Sequence, residues 1–281
     1  MSMRRLVAIG LALFAGLARA DVPQRIVTLS PHLTEFVFAA GAGERIVGTL
    51  DTSDYPPAAR RIPRIGDVGH IDAERLVALK PDLVLVWGDG SPADQRELLK
   101  RLGVPVLVLE QHVLADIPST LEQLGRVLGT EAVTRPAAAR LRAQFKELED
   151  HYARLRSLRV FYQVWSAPLY TVGRASVASE MLRVCGAQNI YADQAPSAFA
   201  VDEESVYARS PDVVAFTGTP TENDEWLKRW NGRAPLPAIA AGRVIRLEPD
   251  IVNRMGPRLV EGTRALCERL DGVRRAMATS P

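Results

Sequence analysis

The chain has 281 residues, of which 47% are hydrophobic and 24% are charged, and this composition excludes a disordered or collagen-like protein. It provides enough apolar mass for one large domain or two ordinary ones. Without the first twenty residues, which hold three arginines and no acid, the chain has 32 basic and 33 acidic residues. Such a nearly neutral body does not indicate nucleic-acid binding.

The N-terminal segment, residues 1–20, has the order of a secretory signal peptide. Arg4 and Arg5 precede an apolar run over residues 6–17, and the small residues of the triplet 18–20 place the cleavage site before Asp21. The apolar run is too short to cross a bilayer as a helix. We therefore expect a soluble, exported protein, which is periplasmic in a cell with two membranes.

Short β-type runs alternate with amphipathic helical segments, which predicts an α/β fold with mainly parallel sheets flanked by helices. The predicted strands span residues 25–29, 45–49, 82–87, 104–109, 159–164, 212–217 and 243–247. Between the fourth and fifth strands, residues 133–158 predict one helix about 35 Å long, with Pro136 in its first turn. Ser30 and Ser91 each precede a proline and predict helices that are capped by serine.

A self-comparison finds that residues 71–86 recur as residues 201–216, with six identities in sixteen positions. In each copy a short helix is halted by proline and leads into a buried strand. The matched acids are Asp72/Asp202, Glu74/Glu204 and Asp82/Asp212. Although any two αβ turns look partly alike, the recurring acids favour two related lobes, residues 21–132 and 159–281, joined by the helix 133–158. Facing lobes of this kind form a cleft at the carboxyl ends of their strands.

Large aromatic rings stand at loop positions beyond the predicted strand ends. Such rings are poor candidates for the core of a lobe, and they suit a broad, flat, amphipathic ligand. The candidate ligand-binding rings are Tyr55, Trp87, Trp165, Tyr170 and Phe199. Ordinary packing stays open for each of them singly. Trp226 and Trp230, four residues apart on one helical stripe, are interpreted as packing residues.

The sequence contains no phosphate-binding loop, no nucleophile elbow and no paired-histidine zinc motif. The histidines are too widely spaced to share a metal on one helix, which disfavours a zinc or manganese binder. Only His32 and His70 stay open as metal or axial ligands at the cleft. In an oxidising compartment Cys185 and Cys267 are expected to form a disulfide, because a catalytic thiol would have no histidine near it in the sequence.

Several of these features together resemble one family. They are the signal peptide, the opening residues 25–35, the segment 53–57, the two repeats, the central helix and the cysteine pair. The chain resembles the substrate-binding proteins of ABC importers whose lobes are joined by one rigid helix, and within them the cobalamin-binding members. The likeness covers residues from about 25 to 270.

The resemblance implies roles for particular residues. Tyr55 and Trp87 match rings that contact the corrin, and Asp250 and Arg254 match groups that hydrogen-bond its peripheral amides. The family pattern has two tryptophans that this chain lacks. One of them matches Val68, and the other falls at or near Ala198. These two differences leave another corrinoid, haem or a siderophore open as the ligand. Haem would need an axial ligand, for which Tyr55, His32 and His70 are the candidates.

The resemblance also implies a membrane partner. In the family, one acid on the exposed tip of each lobe docks on arginines of the permease dimer, and Glu74 and Glu204 match those acids. An ordinary helix-surface acid is the alternative for each. The expected function is therefore capture of cobalamin or a related corrinoid and its delivery to an ABC importer, by a monomer without catalytic activity or cofactor. A periplasmic enzyme on a two-lobed scaffold is the alternative from another class.

Overall fold

A computed structural model describes residues 22–88, 90–232 and 235–279. The predicted signal peptide, residues 1–20, lies outside the described residues. The chain forms two sheets flanked by helices, one in each half of the sequence. Among the described residues, none of the helices combines the length and the apolar composition needed to cross a membrane.

The N-terminal lobe is built on a four-stranded parallel sheet in the order β2-β1-β3-β4. Its elements are β1 (Ile26–Thr28), α1 (Pro31–Ala39), β2 (Ile46–Thr49), α2 (Ala73–Ala78), β3 (Leu83–Trp87), α3 (Ala93–Leu102), β4 (Val106–Leu109) and α4 (Asp116–Leu128). Helices cover both faces of the sheet, because β1 and β3 carry buried apolar side chains on each side.

The C-terminal lobe is built on a six-stranded, mainly parallel sheet. Its elements are β5 (Leu158–Ser166), β6 (Leu169–Val172), α6 (Val177–Val184), β7 (Ala187–Asn189), β8 (Ala198–Ala200), α7 (Glu203–Arg209), β9 (Val213–Phe216), α8 (Pro220–Asn231), α9 (Pro237–Ala240), β10 (Val244–Arg246), α10 (Pro249–Val252) and α11 (Leu259–Thr279). The order is β10-β9-β5-β6-β8, with β7 also beside β5, and only β6 runs antiparallel to its neighbours. The predicted α/β class is confirmed, and each predicted strand is present. β6, β7 and β8 were not predicted.

Helix α5 (Glu131–Tyr152) connects the lobes and is about 33 Å long over its 22 residues. The predicted helix spans residues 133–158. Helix α5 begins two residues before that predicted start and ends six residues before that predicted end, because β5 already starts at Leu158. Pro136 therefore lies in the second turn and not in the first. The buried residues of α5 lie on one face, and they are Thr134, Ala138, Leu141, Leu148 and Tyr152.

The two predicted serine caps have different outcomes. Ser30 caps α1, because its hydroxyl accepts a hydrogen bond from the backbone N–H of Leu33 at 3.3 Å. The prediction for Ser91 is wrong. Helix α3 begins at Ala93, so Pro92, which has no side-chain acceptor, takes the cap position itself.

The repeated acids explain why the two lobes look alike. Asp72 and Asp202 cap α2 and α7 by accepting from the backbone N–H three residues later, at 3.0 and 2.6 Å. Asp82 accepts from the N–H of Arg25 before β1, and Asp212 accepts from the N–H of Arg159 in β5. The same side chain thus fixes the same backbone in each lobe. Lys80 and Ser210, which precede the repeated prolines, also share a left-handed backbone, with φ of 45° and 42°.

The apolar core on the α5 side is continuous between the lobes. It includes Leu33 and Phe36 of α1, Leu141 and Leu148 of α5 and Leu158 of β5. Each lobe has a separate core on its other face, below α2 and α3 in the first and below α7 and α8 in the second. Trp226 and Trp230 are each 3% exposed in the latter core, as their spacing predicted. The lobes therefore share buried surface as well as a connecting helix.

The predicted disulfide is confirmed. Cys185, at the end of α6, bonds to Cys267 in α11, with Cα atoms 4.7 Å apart and a sequence separation of 82 residues. Both helices belong to the C-terminal lobe, so the bond crosslinks that lobe alone.

Candidate functional site

His32 and Trp87 meet at the carboxyl ends of two neighbouring strands. β1 and β3 pair in parallel, so Ser30, which follows β1, lies beside the end of β3 at Trp87. The imidazole of His32, in the first turn of α1, contacts the indole edge to face, with ring centroids 4.9 Å apart. This contact fixes the ring of Trp87, which is half-buried, at the edge of the N-terminal lobe.

His32 is buried and neutral. Burial lowers the pKa of His32 to about 4, although a hydrogen bond with Gln111 raises it, and the positive charge of Arg254 lowers it further. Its Nδ1 lies 3.2 Å from the hydroxyl of Ser30. Only 4% of the His32 surface is exposed, and its ring packs against Trp87. Its nitrogens are therefore not accessible to a ligand.

A cluster of buried hydroxyl groups positions the loop that carries Asp54 and Tyr55. The hydroxyl of Ser53 accepts from Thr49 of β2 at 2.8 Å and from Thr34 of α1 at 3.2 Å. Arg64 donates to the backbone carbonyl of Ser53 at 2.8 Å. The loop therefore leaves the sheet in a fixed direction, and Tyr55 stands 41% exposed beyond it.

The segment after β10 brings Asp250 and Arg254 to that loop. Arg254 pairs with Asp250 four residues earlier at 2.7 Å, and with Asp54 of the other lobe, also at 2.7 Å. Gly256 allows the close approach, because a Cβ added there would lie 3.2 Å from the Cβ of His32. The C-terminal lobe thus places its cleft arginine directly against the N-terminal lobe.

A second arginine makes the contact between the lobes tighter. Arg258 donates two hydrogen bonds to Glu35 of α1, at 2.9 and 2.6 Å, and the Glu35 side chain is only 3% exposed. The guanidinium of Arg258 lies 3.9 Å above the ring of Tyr55, which is a cation–π contact. The Nη1 atom of Arg254 also lies 3.5 Å from the Oε1 atom of Glu35. We call Glu35, Asp54, Asp250, Arg254 and Arg258 the inter-lobe ion-pair cluster.

The pKa shifts follow from these contacts. Partial burial raises the pKa of Asp54, but the hydrogen bond and charge of Arg254 outweigh it, so the pKa lies below its ordinary value. The hydrogen bond to Glu35 raises the pKa of Arg258. Asp54 and Arg258 are therefore both charged at neutral pH.

The expectation that the rings of the C-terminal lobe stand in loops is wrong, because Trp165, Tyr170 and Phe199 lie in β5, β6 and β8. They divide between two faces. In the antiparallel pairing Trp165 lies opposite Tyr170, and Tyr170 lies opposite Ala200, so the three share one face of the β5-β6-β8 ribbon. Trp165 is 52% and Tyr170 37% exposed. Phe199 alternates with its exposed neighbours and packs edge to face on Tyr191, at 5.6 Å, in the core below α7. The structure therefore groups Trp165 with Tyr170 and separates Phe199 from both.

The remaining predicted positions are on the surface. Val68 and His70 are exposed in the turn before α2, and His70 joins its own turn through backbone hydrogen bonds with Asp67. Within the described ranges, no group of three or more histidine, cysteine or acidic side chains is arranged to hold a metal ion. Glu74 and Glu204 lie in the first turns of α2 and α7, both exposed.

Sequence analysis missed Glu35, Asp54 and Arg258. Glu35 is an acid on the buried stripe of α1, which is a sign of a charged partner, but the partner is 223 residues away. Asp54 stands inside the segment that carried the resemblance, and Arg258 follows Arg254 by four residues. Only the folded chain shows that these charges meet.

The chain is similar to known proteins in sequence and in fold. A family described as "Periplasmic binding protein" matches residues 26–251. The vitamin B12-binding protein of Vibrio parahaemolyticus is 32% identical over 263 residues, which cover 93% of this chain and 95% of that protein. The structure of the periplasmic vitamin B12 binding protein of Vibrio cholerae has a TM-score of 0.80 and 30% identity, over 89% of this chain and 98% of that one. A periplasmic heme-binding protein from Roseiflexus sp. RS-1 has a TM-score of 0.79 and 25% identity, over 89% and 99%.

Proposed function

Since this chain belongs to the periplasmic binding protein family, we propose that it captures cobalamin or a related corrinoid in the cleft between its lobes and delivers it to an ABC importer. Members of this family are binding proteins, so the chain is a binder and not an enzyme. Residues 1–20 are the proposed export signal, and N-terminal sequencing of the mature protein is then expected to begin at Asp21.

The observation that carries the proposal is that Arg254, which pairs with Asp250, also pairs with Asp54 of the other lobe, the residue next to Tyr55. Corrin rings carry peripheral amides, and these need both donors and acceptors, which an arginine between carboxylates supplies. Broad rings suit the flat faces of the ligand.

The proposed site therefore consists of those polar groups and the exposed or half-buried rings. Its ligand-binding residues are Tyr55, Trp87, Trp165, Tyr170, Asp250 and Arg254. Phe199 is left out because its ring packs on Tyr191.

Titration calorimetry of the mature protein tests this proposal against cyanocobalamin, hemin and a ferric siderophore. Tight binding of cyanocobalamin alone is the expected result, and its absence contradicts the proposal. Arg254→Ala is expected to weaken binding, because it removes the central donor of the cluster. Arg264→Ala is the matched control, since Arg264 pairs loosely with Glu147 at 3.9 Å and touches none of the proposed ligand-binding residues.

Haem is the second candidate, favoured by the likeness to the heme-binding protein. It needs an axial ligand; His32 is buried against Trp87, which leaves the exposed residues Tyr55 and His70 as the candidates. A sharp Soret shift of hemin on mixing that Tyr55→Phe abolishes would favour haem.

Glu74 and Glu204 are the proposed contacts with the permease dimer. Of the three repeated acid pairs, Asp72/Asp202 and Asp82/Asp212 bond to backbone in both lobes. Within the part of the chain that the structure describes, the carboxylates of Glu74 and Glu204 have no hydrogen bond or ion pair. An acid that recurs without a local role in either lobe supports a role toward a partner.

Transport of labelled cobalamin into cells tests the docking. Glu74→Ala combined with Glu204→Ala is expected to abolish most uptake while ligand affinity stays unchanged, because neither residue is one of the proposed ligand-binding residues. Glu44→Ala combined with Glu225→Ala removes one exposed acid from each lobe and serves as the control. Uptake at the wild-type level in the first variant would remove these two residues from the proposal.

A further inference from the structure

The inter-lobe ion-pair cluster carries an excess of negative charge. Three carboxylates, those of Glu35, Asp54 and Asp250, face the two guanidinium groups of Arg254 and Arg258. Glu35 is buried, and Arg258 binds both of its oxygens, so these two charges compensate each other. The charge that a ligand meets therefore comes from Asp54, Asp250 and Arg254. Those three are one arginine between two aspartates.

The aspartates stand in front of the arginine. The side chain of Arg254 is 15% exposed, whereas those of Asp54 and Asp250 are 42% and 45% exposed. One terminal nitrogen of Arg254 is bound by Asp54 and the other by Asp250, each at 2.7 Å. A ligand at this place therefore reaches carboxylate oxygens first and a guanidinium whose charge is already compensated.

We propose that Asp54 is a specificity-determining residue, which makes the cleft select ligands with neutral peripheral amides over ligands with peripheral carboxylates. This inference rests on the proposed function, and it names the chemical class that the site prefers. It also identifies a residue of the N-terminal lobe that acts on the ligand beside the arginine of the other lobe.

The chemistry of the two groups gives the reason. A primary amide has an oxygen for the remaining N–H groups of Arg254, and it has two N–H groups for the free lone pairs of Asp54 and Asp250. A carboxylate accepts only, so it finds two like charges beside one compensated cation. Placing like charges side by side opposes binding of the wrong ligand, and this is how a charged site discriminates. The carboxylates of porphyrins belong to the disfavoured class.

Arg64 and Arg60 are further cations on this loop. Arg64 donates to the backbone carbonyl of Ser53 at 2.8 Å. Arg60 donates to the backbone carbonyl of Asp54 at 3.2 Å, and its side chain is exposed. Its hydrogen bond is unaffected by a change of the Asp54 side chain, so a variant at Asp54 changes the charge beside Arg254 alone.

The test compares ligands that differ at one group. The probes are cyanocobalamin and its derivatives in which one peripheral propionamide is hydrolysed to the carboxylate, titrated by calorimetry into wild type and Asp54→Asn. Asparagine keeps the shape and an acceptor oxygen but removes the charge. The preference for the amide over the carboxylate is expected to fall about tenfold in Asp54→Asn, while affinity for cyanocobalamin changes much less.

Asp51→Asn is the matched control. Asp51 lies in the same loop and is exposed, and among the described residues its carboxylate has no hydrogen bond or ion pair. The variant changes the net charge equally, and it is expected to leave the preference as in wild type. An unchanged preference in Asp54→Asn, or an equal change in Asp51→Asn, overturns the inference. Failure of wild type to bind any of the cobalamin probes contradicts the proposed function instead.

A measurement on the unmodified protein gives a second test. Because Asp54 and Asp250 are partly exposed, added salt screens their charges. The wild-type preference for the amide is expected to shrink between low ionic strength and about 0.5 M salt, where the screening length is only a few ångströms. A preference that does not depend on salt would contradict an electrostatic origin.

Discussion

His32 makes stability depend on pH in a direction that its surroundings fix. The unfolded chain protonates histidine near the ordinary pKa of about 6.5, whereas the folded chain holds the pKa of His32 at about 4. Between these values the unfolded state binds more protons. The stabilisation is therefore complete above pH 6.5 and is lost as the pH falls toward 4.

The expected loss from this one residue is about 2.5 kcal/mol between pH 7 and pH 4.5. Denaturant unfolding at the two pH values measures it, and His32→Asn supplies the comparison because asparagine does not titrate. The variant is expected to lose less stability on acidification than wild type by that amount. Equal losses in the two proteins would show that His32 is not held neutral by the fold.

Glu35 is the residue whose replacement is expected to cost most among the charged groups. Its side chain is 3% exposed, and Arg258 binds both of its oxygens. Glu35→Gln leaves Arg258 partly buried without its counter-charge, and loss of one partner of a buried pair costs about 3 kcal/mol. Thermal and denaturant unfolding measure the effect.

The control is the surface pair of Arg142 and Glu122, at 2.6 Å, whose side chains are 46% and 30% exposed. Glu122→Gln is expected to change the free energy of unfolding by less than about 1 kcal/mol, because solvent already screens that pair. If the two substitutions cost the same, the buried position of Glu35 gives no special stability.

At the scale of elements, α4 and α5 pack closely at one glycine. A Cβ added at Gly125 of α4 would lie 1.9 Å from Oγ1 of Thr134 in α5. Gly125→Ala gains helix propensity, but the clash forces the helices apart or the threonine out of its rotamer. The net result is expected to be a loss of about 1 to 2 kcal/mol in the free energy of unfolding.

Two variants make the interpretation specific. Gly272→Ala in α11 adds the same methyl group where the nearest atom is 3.9 Å away, so it is expected to stabilise by up to about 1 kcal/mol. Thr134→Ala in the Gly125→Ala background removes the clashing oxygen, which has no hydrogen-bond partner among the described residues, and is expected to restore part of the loss. If Gly125→Ala and Gly272→Ala changed the free energy of unfolding in the same direction, the close packing of α4 on α5 would be contradicted.

The elements that could be predicted from the sequence are those with a buried run. β1, β3, β5 and β9 are covered on both faces, so their apolar residues are contiguous and recognisable. β6 and β8 are short, and they expose Tyr170, Ala198 and Ala200, so the hydrophobic pattern does not reveal them. The start of α5 was misplaced because Pro136 suggested a first turn, whereas the helix accepts it in the second.

The candidate site was predictable only in part, and for a physical reason. Trp87 was predicted at the end of a strand, and it ends β3, whereas Trp165 was predicted after its strand and lies within β5. The pairing of Asp54 with Arg254 joins residues 200 positions apart, and it depends on how the lobes meet. Phe199 was misjudged because side chains alternate along a strand: its neighbours Ala198 and Ala200 are exposed, whereas the Phe199 ring packs on Tyr191.

For the molecule as a whole, three features oppose a change in the angle between the lobes. Helix α5 is continuous, the core below it extends into both lobes, and Glu35 pairs with Arg258 across the junction. Opening the cleft by a hinge would expose part of that core and separate a buried ion pair. Both changes cost free energy, and two lobes connected only by flexible loops would not incur that cost.

We therefore expect ligand binding to move the lobes little, with Cα positions that change by about 1 Å or less. Small-angle scattering of the mature protein, with and without saturating cyanocobalamin, measures this as an unchanged radius of gyration. Glu35→Gln weakens one of the three constraints, and it is expected to show a larger radius without ligand and a larger decrease on binding. A marked compaction of the wild type would contradict the rigid junction. Identical behaviour of the variant would assign the rigidity to α5 and the shared core alone.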